Sequence, residues 1–277
     1  MKRDKKLLKL EKILLKMEKV AVAYSGGVDS TFLLSAAQSI LGKENVLAVT
    51  ALSESYPREE RQRAVQIARD LNARQVFITS EELSNKKFTS NPLNRCYYCK
   101  KELFAKVNKI ARDEGFHAVL DGSTKDDLKD MRYGRIAARE ENVRSPIQEA
   151  NMSKDDVRRL SKARNLKTWD KPSFACLASR FSYNQEITRE KLGAIEKAEV
   201  YIKRLGFTQL RVRLHEKNII RIEVGKKEIN KFLKETIRSK ITKKLKALGF
   251  TYITLDLMGY RTGSMNEGLE KSQRFVF

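Results

Sequence analysis

Six residues near the start of the chain, Ser25-Gly26-Gly27-Val28-Asp29-Ser30, are of types suited to holding an anion. Two adjacent glycines let backbone N–H groups converge on a phosphate with no Cβ in the way. Ser25, Ser30 and Thr31 add hydroxyl donors, and Asp29 is the acid nearest the loop, suited either to positioning a cation such as Mg²⁺ there or only to stabilising the helix dipole from its first turn. No Gly-Lys-Ser/Thr ending follows, so this is not a Walker A loop. A second polar run, Asp121-Gly122-Ser123-Thr124-Lys125-Asp126-Asp127, reads either as another wall of a nucleotide site or as a solvated turn. The cysteines are Cys96, Cys99 and Cys176. An odd count in a chain expected to be cytoplasmic argues against a disulfide framework. Cys96-x-x-Cys99 has a spacing that redox motifs also use. Structural zinc wants four ligands, and His117 and His215 lie elsewhere, His117 at the start of a strand expected to be buried. Three thiolates suit a [4Fe–4S] cluster with one iron left open; the bland alternative is three unrelated thiols.

The elements that must position these residues follow from periodicity. Val20 to Tyr24 is a short apolar run, as expected of a strand covered on both faces. The glycine loop comes next, then a helix from about Ser30 to Leu41 closed by Gly42. Further strands are expected at Asn45–Ala51, Arg74–Ile78 and His117–Leu120, with helices opening at Pro57 and covering Cys99–Glu114, and Ser153 capping another. Strands alternating with helices predict a doubly wound α/β domain, whose ligands bind at the carboxyl ends of the strands. After about residue 182 the pattern changes. A helix over Thr188–Leu205 precedes alternating strands at Leu210–His215 and Ile220–Val224, a Lys-rich helix over Glu228–Leu248 and a strand at Tyr252–Leu257. The expected division is therefore a parallel-sheet domain over residues 1–182, with the cysteine-bearing linker at its end, and a smaller α+β domain over 183–277. Arg211 and Arg213 share one strand face, which suits two-point phosphate binding or else a solvent-facing edge.

The 277 residues carry a net charge of +22, which attracts phosphate-bearing partners without saying which, or simply makes a solvated surface. With 41% hydrophobic residues the chain can build a core, which excludes disorder throughout. No apolar run approaches the roughly 20 residues of a membrane span. The charged N-terminus is unlike a signal peptide, so a cytoplasmic location is expected.

The loop Ser25 to Ser30 resembles the PP-loop of the ATP-pyrophosphatase superfamily, whose members cleave ATP between the α and β phosphates. The chain as a whole resembles the LarE family of ATP-dependent sulfur transferases. That resemblance is carried by the glycine loop, Leu120-Asp121-Gly122, Asp130-Met131-Arg132-Tyr133-Gly134 (with Tyr133 in place of the family's Pro) and Arg144-Ser145-Pro146. It continues in Lys171-Pro172-Ser173-Phe174-Ala175-Cys176-Leu177-Ala178-Ser179-Arg180-Phe181, in Arg211-Val212-Arg213 and in Arg261-Thr262-Gly263-Ser264-Met265-Asn266. The resemblance implies adenylation of a carboxylate of pyridinium-3,5-biscarboxylic acid mononucleotide and its conversion to a thiocarboxylate, for a nickel-pincer cofactor. It further implies that Ser25, Gly26, Gly27, Asp29, Ser30, Thr31, Asp121 and Gly122 bind ATP, and that Arg180, Arg211 and Arg213 bind the substrate and its phosphate. In single-cysteine members the residue at the position of Cys176 gives up its own sulfur. The company of Cys96 and Cys99 resembles the three-cysteine branch, and implies a [4Fe–4S] cluster fed by sulfide. A homohexamer is implied, with no membrane or nucleic-acid partner. A tRNA thiolase with the same loop, and a nucleotide-binding protein without chemistry, are the rival readings.

Overall fold

The computed structural model describes residues 4–128, 133–172 and 174–269, so Asp130 to Arg132 and Ser173 of the family motifs lie outside it. The elements in order are α1 Lys5–Leu15, β1 Val20–Ala23, α2 Val28–Leu41, β2 Val46–Leu52, α3 Arg58–Asp70 and β3 Arg74–Thr79. They continue with α4 Lys86–Thr89, α5 Arg95–Asp113, β4 Ala118–Leu120, α6 Tyr133–Glu140, α7 Pro146–Glu149 and α8 Lys154–Ala163. The last are α9 Arg189–Arg204, β5 Leu210–His215, β6 Ile219–Val224, α10 Glu235–Ala247 and β7 Tyr252–Leu255. No helix among the described residues is long and apolar enough to cross a membrane.

Two compact units divide the chain: Met1–Glu82 with Asn94–Phe174, and Leu83–Leu93 with Ala175–Phe277. This boundary lies upstream of the residue 182 read from the sequence and gives Cys176 to the second unit. Leu83–Leu93 joins that unit because Asn91 Nδ2 donates to the Ser182 carbonyl at 2.6 Å, and Ile187 N to the Thr89 carbonyl at 2.8 Å.

In the first unit the strands run parallel in the order β3-β2-β1-β4. Alternate side chains of the continuous apolar strands enter two cores. Val20, Val22 and Tyr24 pack with α1, α2 and α8, while Ala21 packs with Phe104 and Val107 of α5. Burial on both faces is why these strands show no polar alternation. The order reverses direction at β1, since the chain passes from β1 out to β3 and then returns to β4 on the other side. The switch point therefore lies between β1 and β4, where a doubly wound sheet opens its binding crevice. Helix α8 is opened by a capping box in which Ser153 and Asp156 exchange side-chain and backbone hydrogen bonds. His117, expected in the core, is instead exposed, with Nδ1 3.6 Å from a Glu18 carboxylate oxygen.

The second unit carries a three-stranded sheet, β5-β6-β7, antiparallel between β5 and β6 and parallel between β6 and β7. The single helix expected over Glu228–Leu248 is two pieces. Lys226–Leu233 is a 3-10 coil, Lys234 is extended with ψ 117°, and α10 follows. The tighter coil lets Phe232 meet the Phe207 ring at 4.9 Å, and Glu228 accepts from the backbone N–H groups of Thr208 and Gln209.

Candidate functional site

The glycine loop leaves β1 at the switch point. Gly26 has φ +63°, and a Cβ there would lie 2.6 Å from the Cβ of Ala64 on α3, so only glycine fits. Gly27 has room: an added Cβ would meet only Ser25 Oγ, at 3.4 Å. The free N–H groups and positive dipole end of the 14-residue α2 open onto this loop. Ser30 Oγ accepts from Ser25 N at 3.3 Å and lies 3.2 Å from Ser25 Oγ. Ser25 is exposed, Asp29 half-buried in the first turn of α2, and Ser30 and Thr31 buried.

The loop after β4 comes against the same helix start. A Cβ on Gly122 would lie 2.9 Å from Ser30 N and 3.1 Å from the Asp29 carbonyl carbon, so the two loops pack backbone to backbone. Asp121 is fixed by hydrogen bonds from Ser123 Oγ at 2.7 Å and Ser145 Oγ at 2.6 Å. The two polar loops singled out in the sequence are thus brought together across the switch point.

Two residues that sequence reasoning missed, Lys171 and Tyr56, grip the glycine loop from outside, and Glu60 backs Lys171. Lys171 Nζ donates to the Gly26 carbonyl at 3.0 Å and pairs with Glu60 at 2.6 Å, both side chains nearly buried. Tyr56 OH donates to the Ser25 carbonyl, and burial pushes its hydroxyl pKa upward, so it stays a donor. These donors take up the Ser25 and Gly26 carbonyls, so neither is left unsatisfied beside the loop's N–H groups. Lys171 did stand in the run that carries the family resemblance, but nothing in its local pattern named its partner.

Cys96 and Cys99 lie one helical turn apart at the start of α5. Cys96 is exposed. Cys99 Sγ donates to Glu82 Oε2 at 3.1 Å, and Glu82, only 2% exposed, also accepts from Ser53 Oγ. Cys176 is half-buried in the second unit. Among the described residues no group of three or more His, Cys, Asp or Glu is gathered that could hold a metal ion.

In the second unit Cys176 precedes a 3-10 turn, Leu177–Arg180, that reaches β5. Arg180 is wholly buried and forms a two-point ion pair with Glu199 of α9, at 3.0 and 3.2 Å. Burial works against ionising Glu199, but the Arg180 charge and hydrogen bonds hold its carboxyl below the usual range. Arg213, on the sheet face away from the core, is also buried, and two of its nitrogens donate to Glu223. Ser264 Oγ donates to the other oxygen of Glu223 at 2.5 Å, while Arg221 and Arg261 share Asp256. This face is thus a covered polar layer. Arg211 differs. It lies 5.3 Å over the Tyr260 ring and has no ion-pair partner among the described residues. Burial, then the nearby Arg180 charge, pull its pKa down.

The NAD synthase family model matches residues 5–116, the segment from α1 through β4's approach that holds the glycine loop. The chain is 40% identical to pyridinium-3,5-bisthiocarboxylic acid mononucleotide synthase of Lactiplantibacillus plantarum, over 93% of this chain and 92% of that protein. It is also 40% identical to uncharacterized protein slr1717 of Synechocystis sp., over 97% of this chain and 99% of that one. Uncharacterized protein MJ0830 of Methanocaldococcus jannaschii is 31% identical over 93% of this chain and 98% of its own length.

Proposed function

Because the chain belongs to the LarE family, built on a PP-loop domain, we propose that it adenylates a carboxylate of pyridinium-3,5-biscarboxylic acid mononucleotide and replaces one carboxylate oxygen with sulfur. The observation that carries this reading is the 40% identity to the Lactiplantibacillus plantarum synthase across nearly the whole of both chains. The glycine loop supports it, being a phosphate cradle without a Walker lysine.

A substrate carboxylate oxygen attacks the α-phosphorus of ATP, the bond to the bridging oxygen breaks, and pyrophosphate leaves. N–H groups of the glycine loop and the start of α2 hold the departing group where its charge develops. Mg²⁺ would be held by Asp29 together with the phosphates, a set with few protein carboxylates that this ion accepts, and would offset the same charge. A sulfur nucleophile then attacks the acyl carbon to form the carbon–sulfur bond, the acyl carbon–oxygen bond breaks, and AMP leaves with that oxygen and the electron pair. Ser25, Gly26, Gly27, Ser30, Thr31, Asp121 and Gly122 make up the nucleotide side, and Arg211 the substrate phosphate side.

The finer reading gives the sulfur to a [4Fe–4S] cluster on Cys96, Cys99 and Cys176. Its support is the three-cysteine pattern. Iron analysis of anaerobically reconstituted protein decides it, with about four irons per chain expected for a complete cubane. By the same likeness the enzyme works as a homo-oligomer, a hexamer, on a small phosphorylated substrate.

The direct test incubates the protein with the biscarboxylic mononucleotide, ATP, Mg²⁺ and sulfide. Mass spectrometry should show a product heavier by the difference between sulfur and oxygen, with AMP and pyrophosphate formed in equal amounts. ADP and orthophosphate as the nucleotide products would refute the proposal.

A further inference from the structure

We propose that Arg180 is a positioning residue for the Cys176 turn and not a ligand of the substrate phosphate. The proposal rests on the reading that Cys176 takes part in sulfur delivery, and it differs from the phosphate role that the family resemblance implies for this arginine.

The guanidinium is 0% exposed, and each of its nitrogens already faces an acceptor. Nε and Nη2 donate to the two oxygens of Glu199. Nη1 faces the Ala175 carbonyl at 2.7 Å, the Cys176 carbonyl at 3.0 Å and Ser179 Oγ at 3.0 Å. A phosphate could reach this group only by displacing Glu199, and that would leave a buried carboxylate uncompensated.

The same contacts fix the backbone on both sides of the Cys176 sulfur. The Cys176 carbonyl accepts from Arg180, from Ser179 Oγ at 2.8 Å and from Ser179 N at 3.0 Å. Glu199 Oε1, which anchors Arg180, also accepts from Val212 N at 3.0 Å, in the middle of β5. Arg213 Nη1 donates to the Ser179 carbonyl at 3.2 Å. The turn is therefore pinned to α9 through Arg180 and Glu199, and to β5 through Glu199 and Arg213. Pinning its carbonyls sets the direction in which Cβ and Sγ of Cys176 leave the chain. Arg211, two residues before Arg213 on the same strand face, is left as the guanidinium for the phosphate. Rigid placement of a reacting group is worth large factors in rate, and a misplacement of about 1 Å can cost about 100-fold.

Arg180→Lys separates the two roles, since lysine keeps a cation beside Glu199 but cannot also span the two carbonyls. Expected is a fall in kcat for thiocarboxylate formation of about 10- to 100-fold, with KM for the mononucleotide and substrate-dependent pyrophosphate release within about twofold. Amide hydrogen exchange over residues 176–180 should quicken, and the rate of Cys176 alkylation by iodoacetamide should change. A raised KM with unchanged exchange would show a phosphate ligand and overturn the proposal. Should Arg180→Lys fail to fold, Ser179→Ala removes one donor from the Cys176 carbonyl and leaves the Arg180–Glu199 pair in place. It should move the same readouts in the same direction, and no change would again overturn the proposal. If the wild-type protein makes no thiocarboxylate, the functional reading fails by itself, and the exchange and alkylation rates still decide whether Arg180 holds the turn.

Discussion

Gly26 and Gly27 are neighbours under different constraints. Gly26 needs both its left-handed φ and its missing Cβ, since Ala64 stands 2.6 Å from where that atom would go. Gly26→Ala should cost roughly 1–3 kcal/mol, from backbone strain and the clash with α3, read as a lower melting temperature. Gly27 has φ −78° and open space in front of it. Gly27→Val should leave the melting temperature within a few degrees and abolish ATP binding in calorimetry, because the side chain occupies the phosphate's approach path. Equal destabilisation by both changes would mean that the loop's second glycine serves folding and not the ligand. Lys171 belongs to the same scale. Lys171→Met removes the donor on the Gly26 carbonyl and leaves Glu60, 9% exposed, with only the outlying Arg63 guanidinium at 3.4 Å. It should weaken ATP binding and also lower stability, by less than the roughly 3–5 kcal/mol of a buried charge left wholly unpaired, since Arg63 remains. Lys171→Met with Glu60→Gln should recover stability without recovering affinity.

Among elements, the Cys176 turn is tied to α9 by one buried ion pair, Arg180–Glu199, and its sign with pH is fixed. Arg180 holds the Glu199 pKa below its unfolded value, which is near 4.3. A lowered carboxylate contributes stability that is fully present above the unfolded pKa and lost as pH falls through it toward the folded value. The urea midpoint of the wild-type protein should therefore be flat down to about pH 5 and fall below it. Glu199→Gln should have a lower midpoint at pH 7 and a shallower fall, the remaining slope coming from the other carboxylates held low, Asp156, Asp256 and Glu228 among them. An identical fall in the variant would rule the pair out as the cause. What could be read in the sequence divides along the same line. The parallel sheet was legible because β1 and β2 are apolar on both faces, and the glycine loop because its chemistry is local. The polar face of β5 and β6 was not. Alternating Arg and Glu predicts a solvated or ligand-binding face, but Asp256, Arg261 and Ser264 from far along the chain cover it. Lys171 and Gly26 are 145 positions apart, and no spacing rule announces such a contact. The break at Lys234 was missed because its neighbours keep helical spacing on both sides, and only the packing of Phe232 on Phe207 shows that the coil has tightened.

For the whole molecule the dominant property is charge. The +22 excess is larger than any one site requires, and the buried ion pairs around Glu199, Glu223 and Asp256 absorb only a few of the 57 basic side chains. Most of the rest create a positive potential in the surrounding solvent. ATP and a phosphorylated dicarboxylate both arrive as multiply charged anions, so this field should raise their encounter rate. Salt screens such a field over about 8 Å at physiological ionic strength and about 3 Å at 1 M. The chemical step, inside the crevice at the switch point, is much less exposed to that screening. Raising salt from about 50 to 500 mM should then lower kcat/KM for the mononucleotide roughly tenfold while kcat moves less than about twofold. The same charge would serve an RNA substrate, and the salt series separates the two. Phosphate contacts to RNA give a steep linear fall in log affinity with log salt, with a slope near 0.7 per contact on a single strand. Protein purified at moderate salt should carry no RNA and should show only the shallow dependence of small-anion capture. Tight tRNA binding that survives 200 mM salt, with thiolated tRNA as the product, would assign the charge to nucleic acid and overturn the small-molecule reading.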